Sequence, residues 1–69
     1  MFLADKIKKY ILEHGLKIGV VAEKSGISFQ TFSAMLNGNR KILAEEYFKI
    51  CEVLGVPLET FVAREGAYE

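Results

Sequence analysis

Few side chains in this 69-residue sequence could do covalent or acid–base chemistry, and none comes with the partner such chemistry needs. Ser28 has no histidine or lysine placed to activate it, so its hydroxyl reads as a helix N-cap rather than a nucleophile. His14, the single histidine, stands beside Gly15 at a helix end, where an imidazole serves as a dipole partner or a packed ring. Cys51 falls on the apolar stripe of a helix and reads as a small hydrophobe. As it is the only cysteine, an internal disulfide and a paired-cysteine metal site are both excluded. Glu45 and Glu46 open a helix and favour its dipole. There is no phosphate-binding loop, no metal cluster and little volume for a substrate pocket. The residues therefore predict no enzyme, no cofactor, no metal and no small-molecule ligand.

What remains is recognition chemistry, and the charge pattern bears on it. Net charge is zero, yet it is split along the chain. Residues 1–41 carry seven cations against three carboxylates, a net +4, and residues 42–69 carry two against six, a net −4. Such asymmetry points to a polyanion-facing surface in the first half. The Lys6, Lys8, Lys9 run reads as an ordinary solvated helix face. No apolar run approaches the ~18 residues of a membrane span, and the charges within MFLADKIKKYIL do not resemble a secretory signal. A cytoplasmic, single-domain protein is expected, held by packing of its 51% hydrophobic residues.

Position depends on helices. Val20 to Arg40 reads as two short helices joined by a tight turn. Ala22 is small enough for a close helix crossing, and Gly26 supplies the left-handed residue that stops the first helix. Ser28 can then cap a second helix whose Phe32, Met35 and Leu36 form an apolar stripe at 3–4 spacing. Gly38 ends it. This is a helix-turn-helix, whose second helix suits a DNA major groove.

The remaining periodicity completes an all-α fold. Helices are predicted over residues 2–14, 17–25, 29–36, 44–54 and 58–63. In the first, Leu3, Ile7, Tyr10, Ile11 and His14 share one face. In the second, Ile18, Val21 and Ala22 face inward, and the interior Gly19 costs roughly 1 kcal/mol of helix propensity. Tyr47, Ile50, Cys51 and Leu54 are the buried stripe of the fourth. Pro57 is pre-set for the first turn of the fifth. The tail 64–69 has no periodicity and is expected to fray.

Val21-Ala22, Gly26-Ile27-Ser28, Phe32-Ser33, Met35 and Asn37-Gly38, followed by Tyr47-Phe48-Lys49-Ile50-Cys51 and Leu54-Gly55-Val56, resemble the phage repressor and Cro-type (XRE) family of DNA-binding domains. The resemblance runs from Phe2 to about Val62. It implies the five-helix lambda-repressor-like fold, with residues 29–36 as the recognition helix. It also implies base contacts at Phe29, Gln30, Ser33 and Ala34. A glutamine amide can pair bidentately with adenine, whereas Phe29 and Ala34 offer apolar contact to thymine methyls. Phosphate contacts are implied at Lys17, Asn37, Asn39, Arg40 and Lys41.

Three positions depart from the family pattern towards apolar residues: Ile18, Phe29 and Leu43. Exposed together, they would form a protein-binding patch. Two readings follow. The first is a phage or bacterial repressor that binds a pseudo-palindromic operator in double-stranded DNA as a homodimer. Its dimer surface is expected to include Phe48, Phe61, Val62 and Tyr68. The second is a helix-turn-helix domain reused for protein contact, as an antirepressor, an antitoxin-like protein or an accessory partner. With no sensor domain in the sequence, regulation is expected to act through concentration, a partner protein or turnover.

Overall fold

Four glycines set where this chain turns. The computed structural model describes residues 3–62, and in it Gly15, Gly26, Gly38 and Gly55 all have φ between 67° and 79°. They follow α1 (Leu3–Glu13), α2 (Ile18–Lys24), α3 (Phe29–Leu36) and α4 (Ala44–Leu54). At the α2 end, the Gly26 N–H donates to Glu23 O and the Ile27 N–H to Ala22 O, each at 3.0 Å. These paired bonds satisfy carbonyls that the helix leaves free. A side chain at Gly26 would cost about 1–2 kcal/mol for its left-handed backbone. The same pair of bonds closes the other three helices.

The turn into α3 is finished by Ser28. Its backbone is extended, and its Oγ accepts the Thr31 N–H at 3.2 Å while donating to Thr31 Oγ1 at 2.9 Å. Four residues, 25–28, therefore separate the end of α2 from the pinned start of α3.

Ile7 and Ile11 of α1 meet Val21 and Ala22 of α2, Phe32, Met35 and Leu36 of α3, and Tyr47, Ile50 and Cys51 of α4 in one core. α3 packs against both α1 and α2, and α2 also packs on α4. Each large side chain buried here contributes about 1.5–3 kcal/mol, so α3 is fixed by its inner face while its outer face stays free. Ala22, where the sequence leads one to expect a close helix crossing, is 1% exposed.

The sequence expectations hold for α3 and α4 residue for residue, and α2 is one residue shorter at each end than predicted. The described part of α1 ends one residue early, leaving His14 outside it. His14 is exposed rather than inward: its ring stacks on Tyr10 at 3.9 Å between centroids, with Nδ1 2.9 Å from Tyr10 O.

The fifth α-helix expected over 58–63 is not found among the described residues. Leu58–Thr60 forms a single 3₁₀ turn instead, closed by the Thr60 N–H donating to Pro57 O at 3.1 Å. The Tyr47 hydroxyl donates to the Leu58 carbonyl and ties this turn to α4. The turn delivers Phe61 into the core, 4% exposed, edge-on to Tyr10 and Tyr47 at 5.6 and 6.4 Å. Assigning Phe61 to a dimer surface is thus overturned, because aromatic packing claims it. Phe48 and Val62 are about half exposed, and Tyr68 lies outside the described residues with the rest of 63–69. Among the described residues there is no strand, and no helix is long and apolar enough to cross a membrane.

Candidate nucleic-acid interface

The inward residues of α3 define its outward face. At about 100° per residue, Phe29, Gln30, Ser33, Ala34 and Asn37 cover an arc of about 140° on the side away from Phe32, Met35 and Leu36. Phe29, Gln30 and Asn37 are exposed, while Ser33 and Ala34 are half-buried. The four residues expected to read bases thus share one face, with Gln30 in the first exposed turn. Phe29 is 59% exposed, and its ring edge leans over Gly19 of α2, where a Cβ would stand 3.9 Å away. Ile18 behaves differently from Phe29. It is half-buried and packs on the core, so the apolar patch expected from Ile18, Phe29 and Leu43 loses a member.

The expected phosphate contacts lie in two separate places. Lys17 precedes α2 and lines a groove of about 280 Å³ with Leu16, Val20, Lys24, Val53 and Leu54. Asn37, Asn39, Arg40 and Lys41, all exposed, form the link from α3 to α4. Arg40 and Lys41 line a second groove, with Leu3 and Ala4 of α1, Met35, Gly38 and Ile42.

Arg40 is not a free cation. Its Nη1 and Nη2 donate to Glu46 Oε1 and Oε2 at 2.9 and 3.0 Å, and Nη1 also lies 3.1 Å from Lys41 O. Such a bidentate fork fixes the plane of the guanidinium as well as its position. Glu46 Oε1 further accepts the Leu43 N–H at 2.9 Å. The hydrogen bond from Arg40, then that from Leu43, hold the Glu46 carboxyl below its ordinary range, and Glu46 in turn raises Arg40. Sequence reasoning missed this pair, assigning Glu46 to the helix dipole alone. The readable signal was the spacing of a capping box, in which a glutamate three residues after the N-cap reaches back to its N–H. Leucine at that N-cap has no side-chain acceptor, so only the glutamate half exists and the motif is disguised.

Cys51 is 1% exposed. Burial pushes the neighbouring Tyr47 phenol up to about 12, with the Cys51 thiol adding to the shift. Among the described residues, no three His, Cys, Asp or Glu side chains cluster where they could hold a metal ion.

The sequence that builds this helical core and its capped third helix matches the model of a known family. The sequence model of the helix-turn-helix family matches residues 7–61, from α1 through Phe61. The chain belongs to the XRE-type helix-turn-helix family. No curated protein and no solved structure matches it. XRE-type domains are DNA-binding regulators, and the match runs from within α1 through α2, α3 and α4, including the turn at Gly26 and the α3 face. The 3₁₀ turn at Leu58–Thr60 stands where the sequence led to the expectation of a fifth helix.

Proposed function

We propose that this protein is a sequence-specific double-stranded DNA-binding transcriptional repressor of phage or bacterial type. It would occupy a pseudo-palindromic operator as a homodimer and exclude polymerase. The observation that carries this reading is the outer face of α3, which presents Phe29, Gln30, Ser33 and Ala34 from a helix anchored on its other side by core residues. Gln30 reads adenine through its amide, and Phe29 and Ala34 press on thymine methyls. Lys17 on one flank and Asn37, Asn39, Arg40 and Lys41 on the other engage the phosphates and set the register. One domain offers few base contacts, so two recognition helices ~34 Å apart supply the specificity. Phe48 and Val62 are exposed and available to a dimer surface.

A second reading has one observation in its favour. Phe29 and Leu43 are each more than half exposed, which suits a domain reused to grip a protein, as an antirepressor or antitoxin-like partner does. Selection of binders from a random duplex library at near-physiological salt separates the two. Enrichment of a two-fold symmetric site supports the repressor, and its spacing checks the docking. Weak, salt-sensitive binding without enrichment favours the protein partner.

A further inference from the structure

The link between α3 and α4 is a weaker polyanion site than its basic residues suggest. From Asn37 to Glu46 the chain carries Arg40 and Lys41 against Glu45 and Glu46, so the segment has no net charge. Arg40 already has both terminal nitrogens on Glu46. Phosphate affinity scales with the counterions that cations displace, so this flank needs positive charge from elsewhere in the fold.

The packing of α1 supplies it. Lys8 Nζ donates to Asn37 Oδ1 at 3.5 Å, across 29 residues of sequence. Ala4, one helical turn before Lys8 on the same flank of α1, lines the groove that Arg40 and Lys41 share. The two contacts place this flank of α1 alongside the end of α3. Lys8 is half-buried, whereas Lys6 and Lys9 are exposed and Lys9 faces Glu13 at 3.9 Å along its own helix. The lysine run is thus divided by the fold, and only its middle member is shown reaching the α3–α4 link.

We propose that Lys8 is a phosphate-contacting residue of the DNA interface, acting beside Asn37 and Lys41 at the C-terminal end of α3. This rests on the DNA-binding reading above. Asn37 orients the ammonium through its side-chain oxygen and leaves the remaining N–H donors of Lys8 for a phosphate oxygen. The competing role for Lys8 is structural, as a cation stabilising the C-terminus of α3.

The test measures binding to a mixed-sequence duplex two helical turns long, across a salt series, for the full chain and for Lys8→Gln and Lys6→Gln. The expected result is that Lys8→Gln lowers the slope of log affinity against log salt by about 0.9, the value of one phosphate contact. Lys6→Gln should leave the slope in place, and all three proteins should melt at closely similar temperatures. A Lys8→Gln slope equal to the parent's overturns the proposal, as does an equal drop in both variants. A lower melting temperature with an unchanged slope assigns Lys8 to α3 stability instead. Absence of salt-dependent binding by the parent chain overturns the DNA-binding reading itself, and this proposal with it.

Discussion

At the scale of single residues, Gln30 and Arg40 should fail in different ways. Gln30 is exposed on the outer face of α3, and Gln30→Ala should cost ~1–3 kcal/mol at the preferred site while sparing other duplexes. Arg40→Ala should weaken binding to every sequence but lower the salt slope by less than the value of one full phosphate contact, because both terminal nitrogens of Arg40 are already paired with Glu46. Competition binding over a salt series measures both effects, and equal losses from the two variants would count against base reading by Gln30. Glu46 makes a separate prediction about pH. Its carboxyl is held below the ordinary range by Arg40, so its folded pKa lies under its unfolded one. The resulting stability is present above the unfolded value and disappears as pH falls through the folded value. The melting temperatures of the parent and Glu46→Gln should therefore differ at neutral pH and converge in acid. A constant gap would show that the ionised pair contributes nothing, as many exposed pairs do.

At the scale of the element, α2 is the weak member and can be improved. It has seven residues, an interior glycine, and Lys17 at its N-cap with no side-chain cap. Gly19 lies in ordinary helix, and a Cβ there would meet only the Phe29 ring edge, at 3.9 Å. Gly19→Ala should raise stability by about 0.5–1 kcal/mol, because alanine loses less backbone freedom on folding. Chemical denaturation would measure the gain; a loss would mean the Phe29 ring is displaced. The third helix shows the opposite economy. Ser28 caps it through the Thr31 N–H, and Ser28→Ala should cost ~1 kcal/mol in the same assay.

At the scale of the whole molecule, the core leaves several large apolar residues outside. Phe48, Leu58 and Val62 are 52%, 45% and 50% exposed, on α4 and the turn after it. If Phe48 and Val62 meet a second copy, Phe48→Glu combined with Val62→Glu should leave the monomer folded, since neither belongs to the core. Affinity for a full two-fold site should fall on the order of a hundredfold while half-site affinity stays constant. Sedimentation and half-site binding would decide it. Unchanged full-site affinity would move the dimer contact elsewhere.

The division between what was readable and what was not follows the range of each interaction. Helix stops at glycine, the Ser28 cap and the apolar stripes of α2, α3 and α4 depend on neighbours within a turn or two, and the sequence by itself determined them, together with the family. Tertiary structure decided the features that need partners far along the chain. Phe61 looked like surface because its cover comes from Tyr10 and Tyr47, on two other helices. Ile18 could be read either as part of the inward face of α2 or, if exposed, as part of an apolar patch, and its packing against the core decided for the inward face. Arg40 read as a free cation because Glu46 lies across a turn from it, and Lys8 read as plain solvated surface because Asn37 lies 29 residues away. Local patterns record the backbone's own preferences, whereas the charge of a surface depends on which side chains the packing brings together.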